Sequence, residues 1–441
     1  MKKILSIAAV LFVALLGYYT IFGSGQVIEL LKKQVDAKVQ TLQQNGFSIE
    51  ERRVEDKSEH FVIHYRDPVM ISRYLQSQKV DITAEEAEVY RGLKIAMDIT
   101  YLEGIYSAIS ADIYPVAFPH SVATEATPQE KKMLTKVIEE KIFLAHIDIN
   151  KLFTDFKGYL KDIETTFDGE DPLTLVCKGF KFDGSYDDKR LSSSSNEIKR
   201  VALQTKSGGK FLLEKLEGEY EIEGKSSYDF KSQYSIKSLL LRDEDEMGVT
   251  LDKLAFKSSG EAKKGFASSK FKFELDSIDI KEAKGMHFFE KITSKSSIEN
   301  ISIAAVEKMQ KLDSNDTEGF NAAFKEMLAE GITLRVDELS AKKVRDSKSG
   351  EMIDGFDINT LVKIDKVTDF KHLEENPFAI LEIIDATMHM EFSDKLYLAL
   401  QKRPELAIAM IILTPVSKDG KMIFDIEYKD GAMKINGKPI L

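Results

Sequence analysis

Two glycines and a lysine-serine pair stand at Gly218-Glu219-Tyr220-Glu221-Ile222-Glu223-Gly224-Lys225-Ser226, the nearest approach in this chain to a phosphate-binding loop. A P-loop closes its backbone amides on phosphate with four residues between the glycines. Here there are five, and Glu219, Glu221 and Glu223 would repel the phosphate. His60 and His64 share one face of the alternating run His60-Phe61-Val62-Ile63-His64-Tyr65, as two metal ligands on a strand would. No Cys, His-x-x-Glu or Asp-rich loop adjoins them, so they read as exposed or pairing histidines. His120, His146, His287, His372 and His389 are scattered without a catalytic context. The run Asp313-Ser314-Asn315-Asp316-Thr317-Glu318-Gly319 mimics a calcium loop, but its glycine falls one place late and Phe324 stands where the twelfth-position glutamate belongs. A helix cap explains it better. There is no Gly-x-Ser-x-Gly elbow. Cys177, alternating with Leu173 and Leu175, reads as a small core residue. No catalytic, metal or cofactor-binding residue is assigned, and no cofactor is expected.

Composition narrows the classes further. With 31% charged residues, adjacent carboxylates such as Asp187-Asp188 or Glu50-Glu51 carry little information about acid–base work. The net charge of -11 argues against a nucleic-acid partner and against broad adhesion to an anionic lipid surface. These features favour a protein that binds over one that turns a substrate over.

The elements that would position any ligand begin with residues 4–23, which carry no charge and follow Met1-Lys2-Lys3. Twenty such residues suffice for a helix to cross a bilayer core of about 30 Å. Leu5, Leu11, Phe12, Leu15 and Leu16 supply its apolar body; Tyr18, Tyr19 and Phe22 suit the headgroup boundary. No Ala-x-Ala cleavage site follows, so a retained signal-anchor is expected, with residues 1–3 cytoplasmic and the bulk of the chain periplasmic. Lysine counting alone does not set that topology, because Lys32, Lys33 and Lys38 follow the run.

Residues 24–46 hold Val27, Ile28, Leu31, Val35, Val39 and Leu42 at three- and four-residue steps, an amphipathic helix closed by Asn45-Gly46. It reads as a stalk or a pairing surface, residues 27–42 offering a route to a homo-oligomer, or as a helix packed on the body. Residues 47–169 read as strands with polar turns and one helix, opened by Thr127-Pro128. Residues 170–300 alternate between Gly-, Ser- and Asp-rich turns and read as an antiparallel meander. Residues 301–441 add helices at about 303–312, 317–330, 377–390 and 404–413, strands at 332–344 and 356–368, and a final hairpin through Asp430-Gly431. The expected class is α+β: a single transmembrane helix, then an elongated, mainly antiparallel β body with bends, with helices in the carboxy-terminal half.

Within the meander one pattern repeats: Leu213-Glu214-Lys215-Leu216, Leu251-Asp252-Lys253-Leu254, Leu275-Asp276-Ser277-Ile278 and, later, Val336-Asp337-Glu338-Leu339. A strand has period two, so an apolar step of three puts the second residue on the wrong face unless the backbone is re-aimed. A bulge or bend at the acidic pair does this. Leu213, Leu216, Leu251, Leu254, Leu275, Ile278, Val336 and Leu339 are therefore expected along an apolar concavity of a bent sheet.

The carboxy-terminal half resembles the YdgA-like family of bacterial envelope proteins. The likeness rests on Leu328-Ala329-Glu330-Gly331, on Ile332-Thr333-Leu334, and on the final Tyr-x-Asp-Gly hairpin closing at Asn436-Gly437, with Phe118-Pro119 and the uncharged amino-terminal run alongside. It implies a membrane-anchored envelope protein and carries no catalytic residues. Together these readings lead to an inner-membrane protein that binds a lipid or other apolar envelope molecule in its bent sheet. An anchored scaffold for an envelope partner is the second reading.

Overall fold

The computed structural model describes residues 28–77, 82–102, 107–150, 152, 154–167, 171–187, 190–282, 285–310, 312, 316–345, 350–367, 369–401 and 413–440. The chain divides into two units, Met1–Glu217 and Gly218–Leu441.

In the first unit the antiparallel strands are β1 (Phe47–Val54), β2 (Ser58–Tyr65), β3 (Lys94–Tyr101), β4 (Ser107–Ala117), β5 (Ala145–Asn150), β6 (Asp155–Leu160), β7 (Ile163–Phe167), β8 (Leu173–Lys178), β9 (Lys181–Asp187) and β10 (Arg190–Thr205). Strands β1 to β6 pair in chain order. Strand β6 then meets β9, β7 meets β8, and β10 pairs with β9 along its first half and β8 along its second. Alternation decides which face packs. Phe61, Ile63, Ile95, Met97, Ile99, Ile109, Ile113, Ile147 and Ile149 all enter one core cluster, while the residues between them point the other way.

Helix α1 (Ile28–Gln44) covers that face with Val35, Val39 and Leu42, helped by α2 (Pro68–Ser77) and α3 (Ala84–Glu88). The apolar side of α1 from Val35 onward is thus used inside its own unit. Gly46 ends α1 at φ +92, a conformation that glycine adopts without penalty. Helices α4 (His120–Glu125) and α5 (Pro128–Glu139) sit over a second cluster with Phe143, Ile163 and Phe167. Thr127 and Glu130 cap α5 reciprocally, with Pro128 in its first turn.

Strand β11 (Lys210–Ile222) runs across the division between the units. The second unit then builds β12 (Phe230–Arg242), β13 (Gly248–Lys263), β14 (Phe266–Glu282), β15 (Gly285–Ser302), β16 (Ile332–Arg345), β17 (Met352–Ile364) and β18 (Ile384–Ser393), each antiparallel to the next. Strand β18 also pairs with β20 (Lys421–Lys429), which takes β19 (Val416–Lys418) and β21 (Ala432–Ile435) as hairpin partners. Helices α6 (Ile303–Met309) and α7 (Thr317–Leu328) lie between β15 and β16; α8 (Phe370–Glu375) and a 3₁₀ turn at Pro377–Ile383 precede β18; α9 (Asp394–Gln401) follows it. Asp316 caps α7 through the Gly319 amide, the role its sequence suggested.

The expected α+β class led by a membrane-spanning helix is corrected by these elements. Among the described residues strand outweighs helix, 58% to 22%, so they are mostly antiparallel β. Among the described residues no helix is long and apolar enough to cross a membrane. The run 4–23, with Leu5, Leu11, Phe12, Leu15, Leu16, Tyr18, Tyr19 and Phe22, lies outside the described residues. The helix expected over 377–390 is a short 3₁₀ turn followed by β18, where Met388, Met390 and Phe392 alternate along one face with the period of a strand rather than a helix. The apolar run expected as a helix at 404–413 also lies outside the described residues, apart from Leu413.

Candidate apolar binding face

Register turns the repeated apolar pairs into lines across the second unit's sheet. Ile236, Leu254, Leu275, Ile292, Ala341 and Phe356 stand opposite one another on successive strands. Three residues along, Leu239, Leu251, Ile278, Phe289, Val344 and Ile353 form a second line. Between them runs a polar seam that includes Lys253, Asp276 and Lys291. The pairings on either side of the seam keep one register from β12 to β15, so the chain turns there without an inserted residue.

Backbone geometry accounts for the turn. Lys215, Lys253 and Lys291 take φ of 49°, 49° and 54°, the left-handed region, on β11, β13 and β15. Such a residue costs about 1 kcal/mol and re-aims the strand, so both apolar lines face the same side. On β15 to β18 this is seen directly. Phe289, Ile292, Ala341, Val344, Ile353, Phe356 and Phe392 join one cluster with Leu396 and Leu400 of α9. On the opposite side Asp276 receives hydrogen bonds from Lys253 Nζ at 2.7 Å and Lys291 Nζ at 2.8 Å. These two bonds lower its carboxyl pKa to about 2. The αL lysines are tied to each other through one carboxylate.

Of the residues expected along the concavity, the structure aligns Leu251 with Ile278 and Leu254 with Leu275. Leu213 is buried and Leu216 half-buried on β11, beside the αL Lys215. Val336 and Leu339 are not part of these lines. They flank a bulge in β16, where the register to β17 shifts, and stand opposite Thr360 and Ile358. The missed members were Ile236 and Leu239, Phe289 and Ile292, Ala341 and Val344, and Ile353 and Phe356. Phe289-Glu290-Lys291-Ile292 carries the same apolar-acidic-lysine-apolar signal as Leu251-Asp252-Lys253-Leu254 and could have been found by it.

The same face continues away from the seam by strand alternation. Tyr234, Phe256, Phe273, Leu339, Ile358 and Met390 occupy one row, with Phe271 and Val336 in the row beyond. The rings of Phe256 and Phe271 stack at 6.5 Å. Cores close the face near both ends of the strands. One lies under α9; the other joins Leu328, Ile332 and Val367 to Ile298, Ile301 and Phe370. Between them Tyr234, Phe271 and Leu339 remain 38%, 37% and 38% exposed, and Phe256 and Phe273 are only half-buried. Large apolar side chains contiguous and this open mark a binding surface more often than plain solvent contact.

The first unit pairs His60, His64 and His146 with carboxylates. On the face away from its core, His60 Nδ1 lies 2.5 Å from Asp98 and His146 Nδ1 lies 2.7 Å from Asp112, with Asp98 and Asp112 directly opposed on β3 and β4. Burial raises the Asp98 carboxyl pKa, but hydrogen bonds from His60 and Tyr114 outweigh it and hold the group below its usual value. His64 pairs with Glu50 at 2.8 Å. Among the described residues no group of three or more His, Cys, Asp or Glu side chains is placed to hold a metal. Cys177 pairs opposite Ile163 and packs on the second cluster; burial raises its thiol pKa. The Gly218–Ser226 stretch ends β11 and enters a turn closed on Asp229, and no helix follows to present amides to phosphate.

A mostly antiparallel β protein with an open apolar face is the class these features define. The chain belongs to the family described as bacterial protein of unknown function (DUF945), whose match runs over residues 1–441. No curated protein and no solved structure matches it.

Proposed function

We propose that the second unit binds the acyl chain of an envelope lipid along the apolar face of β12 to β18, and that the protein acts by binding without turnover. The observation that carries this is the row Tyr234, Phe256, Phe273, Leu339 and Ile358, which stays partly open between two closed cores. An acyl chain is the occupant that fits: the row is long, narrow and apolar, with only Ser294 interrupting it on β15. Supporting this, the uncharged run 4–23 directs the chain to the bacterial envelope, where such chains are at hand, as the YdgA-like resemblance also implies. Native mass spectrometry of the full-length protein extracted in mild detergent tests the proposal. Adducts with the mass of diacyl lipids should survive gentle activation and disappear when Phe271 and Phe273 are both changed to Asp. A spectrum of bare protein in the wild type removes it.

A further inference from the structure

The polar face of the same sheet holds a pattern that the net charge of -11 conceals. Lys257, Lys272 and Lys295 stand directly opposite one another on β13, β14 and β15. Like charges in opposed positions destabilise a sheet, a cost that Lys272 and Lys295 offset only in part through Glu274 and Glu338. Four residues along, at the seam, Lys253 and Lys291 are 74% and 50% exposed, on the same outer side by alternation, with Lys237 and Lys342 exposed on the flanking strands. Against these lysines stand Glu274, Asp276 and Glu338. Each is already engaged: Glu274 with Lys272 at 2.9 Å, Asp276 with both seam lysines, and Glu338 with Lys295 at 2.6 Å. Over β12 to β16 this face is basic within an acidic chain; Asp357 and Glu391 stand on the same side of β17 and β18.

We infer that this lysine face docks on an anionic lipid surface, one whose headgroups carry phosphate. Lysines act as mobile point charges, whereas a fixed phosphate ligand or a protein hot spot calls for arginine forks and aromatic anchors. The rows that hold these lysines supply serines, an alanine and a threonine between them, with no ring. A single-stranded nucleic acid would want stacking platforms there. A shallow, ring-free field of lysines suits a fluid array of phosphates, where each lysine contributes by proximity alone. This docking uses the face opposite to the acyl-chain site and stands or falls separately from it.

Amine acylation of the full-length protein, read peptide by peptide with mass spectrometry, tests the docking. The protein is held with vesicles of phosphatidylcholine alone or with phosphatidylglycerol added. Lys257, Lys272 and Lys295 should react about fivefold more slowly on the anionic vesicles, the factor that about 1 kcal/mol per lysine near such a surface corresponds to. Lys131, exposed on α5, serves as the internal control and should change little. High salt should abolish the protection. Equal rates on both vesicles overturn the inference, as does protection that persists in high salt. Protection that rises with protein concentration in the absence of vesicles would assign the face to a second copy. Equal protection by duplex DNA at matched phosphate would assign it to polyanions in general. Either result likewise overturns the lipid surface.

Discussion

The two units use the same antiparallel material in opposite ways. In the first, the strands β1 to β5 are closed by α1, α2 and α3, and large side chains such as Phe61, Met97, Ile99 and Ile109 are almost wholly withdrawn from water. In the second, strands of up to 18 residues extend past their covers, and packing concentrates in clusters near the strand ends. Length without cover leaves apolar area to spare. A helix of eight residues, such as α9, covers only about 12 Å of sheet, whereas β15 extends about 60 Å. The first unit reads as a stable body, the second as a surface kept for something else.

Aromatic truncation gives the largest contrast. Phe61→Ala, at 1% exposure, should destabilise the first unit by about 3–5 kcal/mol through lost burial and a cavity. Phe271→Ala, at 37% exposure, should change stability by less than about 1 kcal/mol while weakening lipid capture. Denaturant titration followed by probes in each unit distinguishes them, and comparable losses at both sites would erase the contrast.

A smaller contrast concerns charge. Glu59 is buried in the first unit and receives hydrogen bonds from Arg52 Nε at 2.8 Å and the Tyr101 hydroxyl at 2.8 Å. Burial, then the Glu59 bond, pushes the Tyr101 hydroxyl far above its usual pKa. Arg52→Ala leaves that carboxylate without its cation and should cost about 3 kcal/mol. Among the described residues no ion pair in the second unit is enclosed to that degree, so the seam variant Asp276→Asn should lower the thermal midpoint much less than Arg52→Ala. A seam variant as damaging as Arg52→Ala would show the bend to be a core feature.

The smallest effect is a titration in the second unit. His389 has its pKa raised above 6.5 by its hydrogen bond to Asp425, with Glu391 adding to it against partial burial. A raised folded value means that the stabilisation is complete below about pH 6.5 and fades as pH climbs through the raised value. His389→Gln should flatten that upper part of the stability–pH profile, measured as melting temperature from pH 6 to 9. An unchanged slope would place the titration elsewhere.

How much of this was written legibly in the chain depends on the range of the signal. Local signals read well: the Thr127-Pro128 cap, the Asp430-Gly431 hairpin and the Leu251-Asp252-Lys253-Leu254 bend each lie within a few residues. The same local habit failed at 377–390, because a proline ahead of an apolar run resembles a helix start when the partners of β18 are unknown. The apolar site was half legible. Its pairs on β13 and β14 could be named, Phe289-Glu290-Lys291-Ile292 carried the same local signal, and Val336 and Leu339 fall in neighbouring rows of the same face, whereas Ala341 and Ile353 join only through pairing. The lysine row was invisible, since Lys257, Lys272 and Lys295 lie far apart in sequence and the summed charge points the other way.

The central claim, that the second unit keeps its apolar face open for an acyl chain, is tested most directly by photo-crosslinking. A photoreactive amino acid replaces Phe271 in one sample and Leu152, an exposed apolar residue of the first unit, in another. Irradiation of the full-length protein with vesicles of bacterial envelope lipids should give lipid adducts at 271 and none at 152. Crosslinks from 271 that reach only other segments of the same chain would contradict the account, because the face would then already be filled.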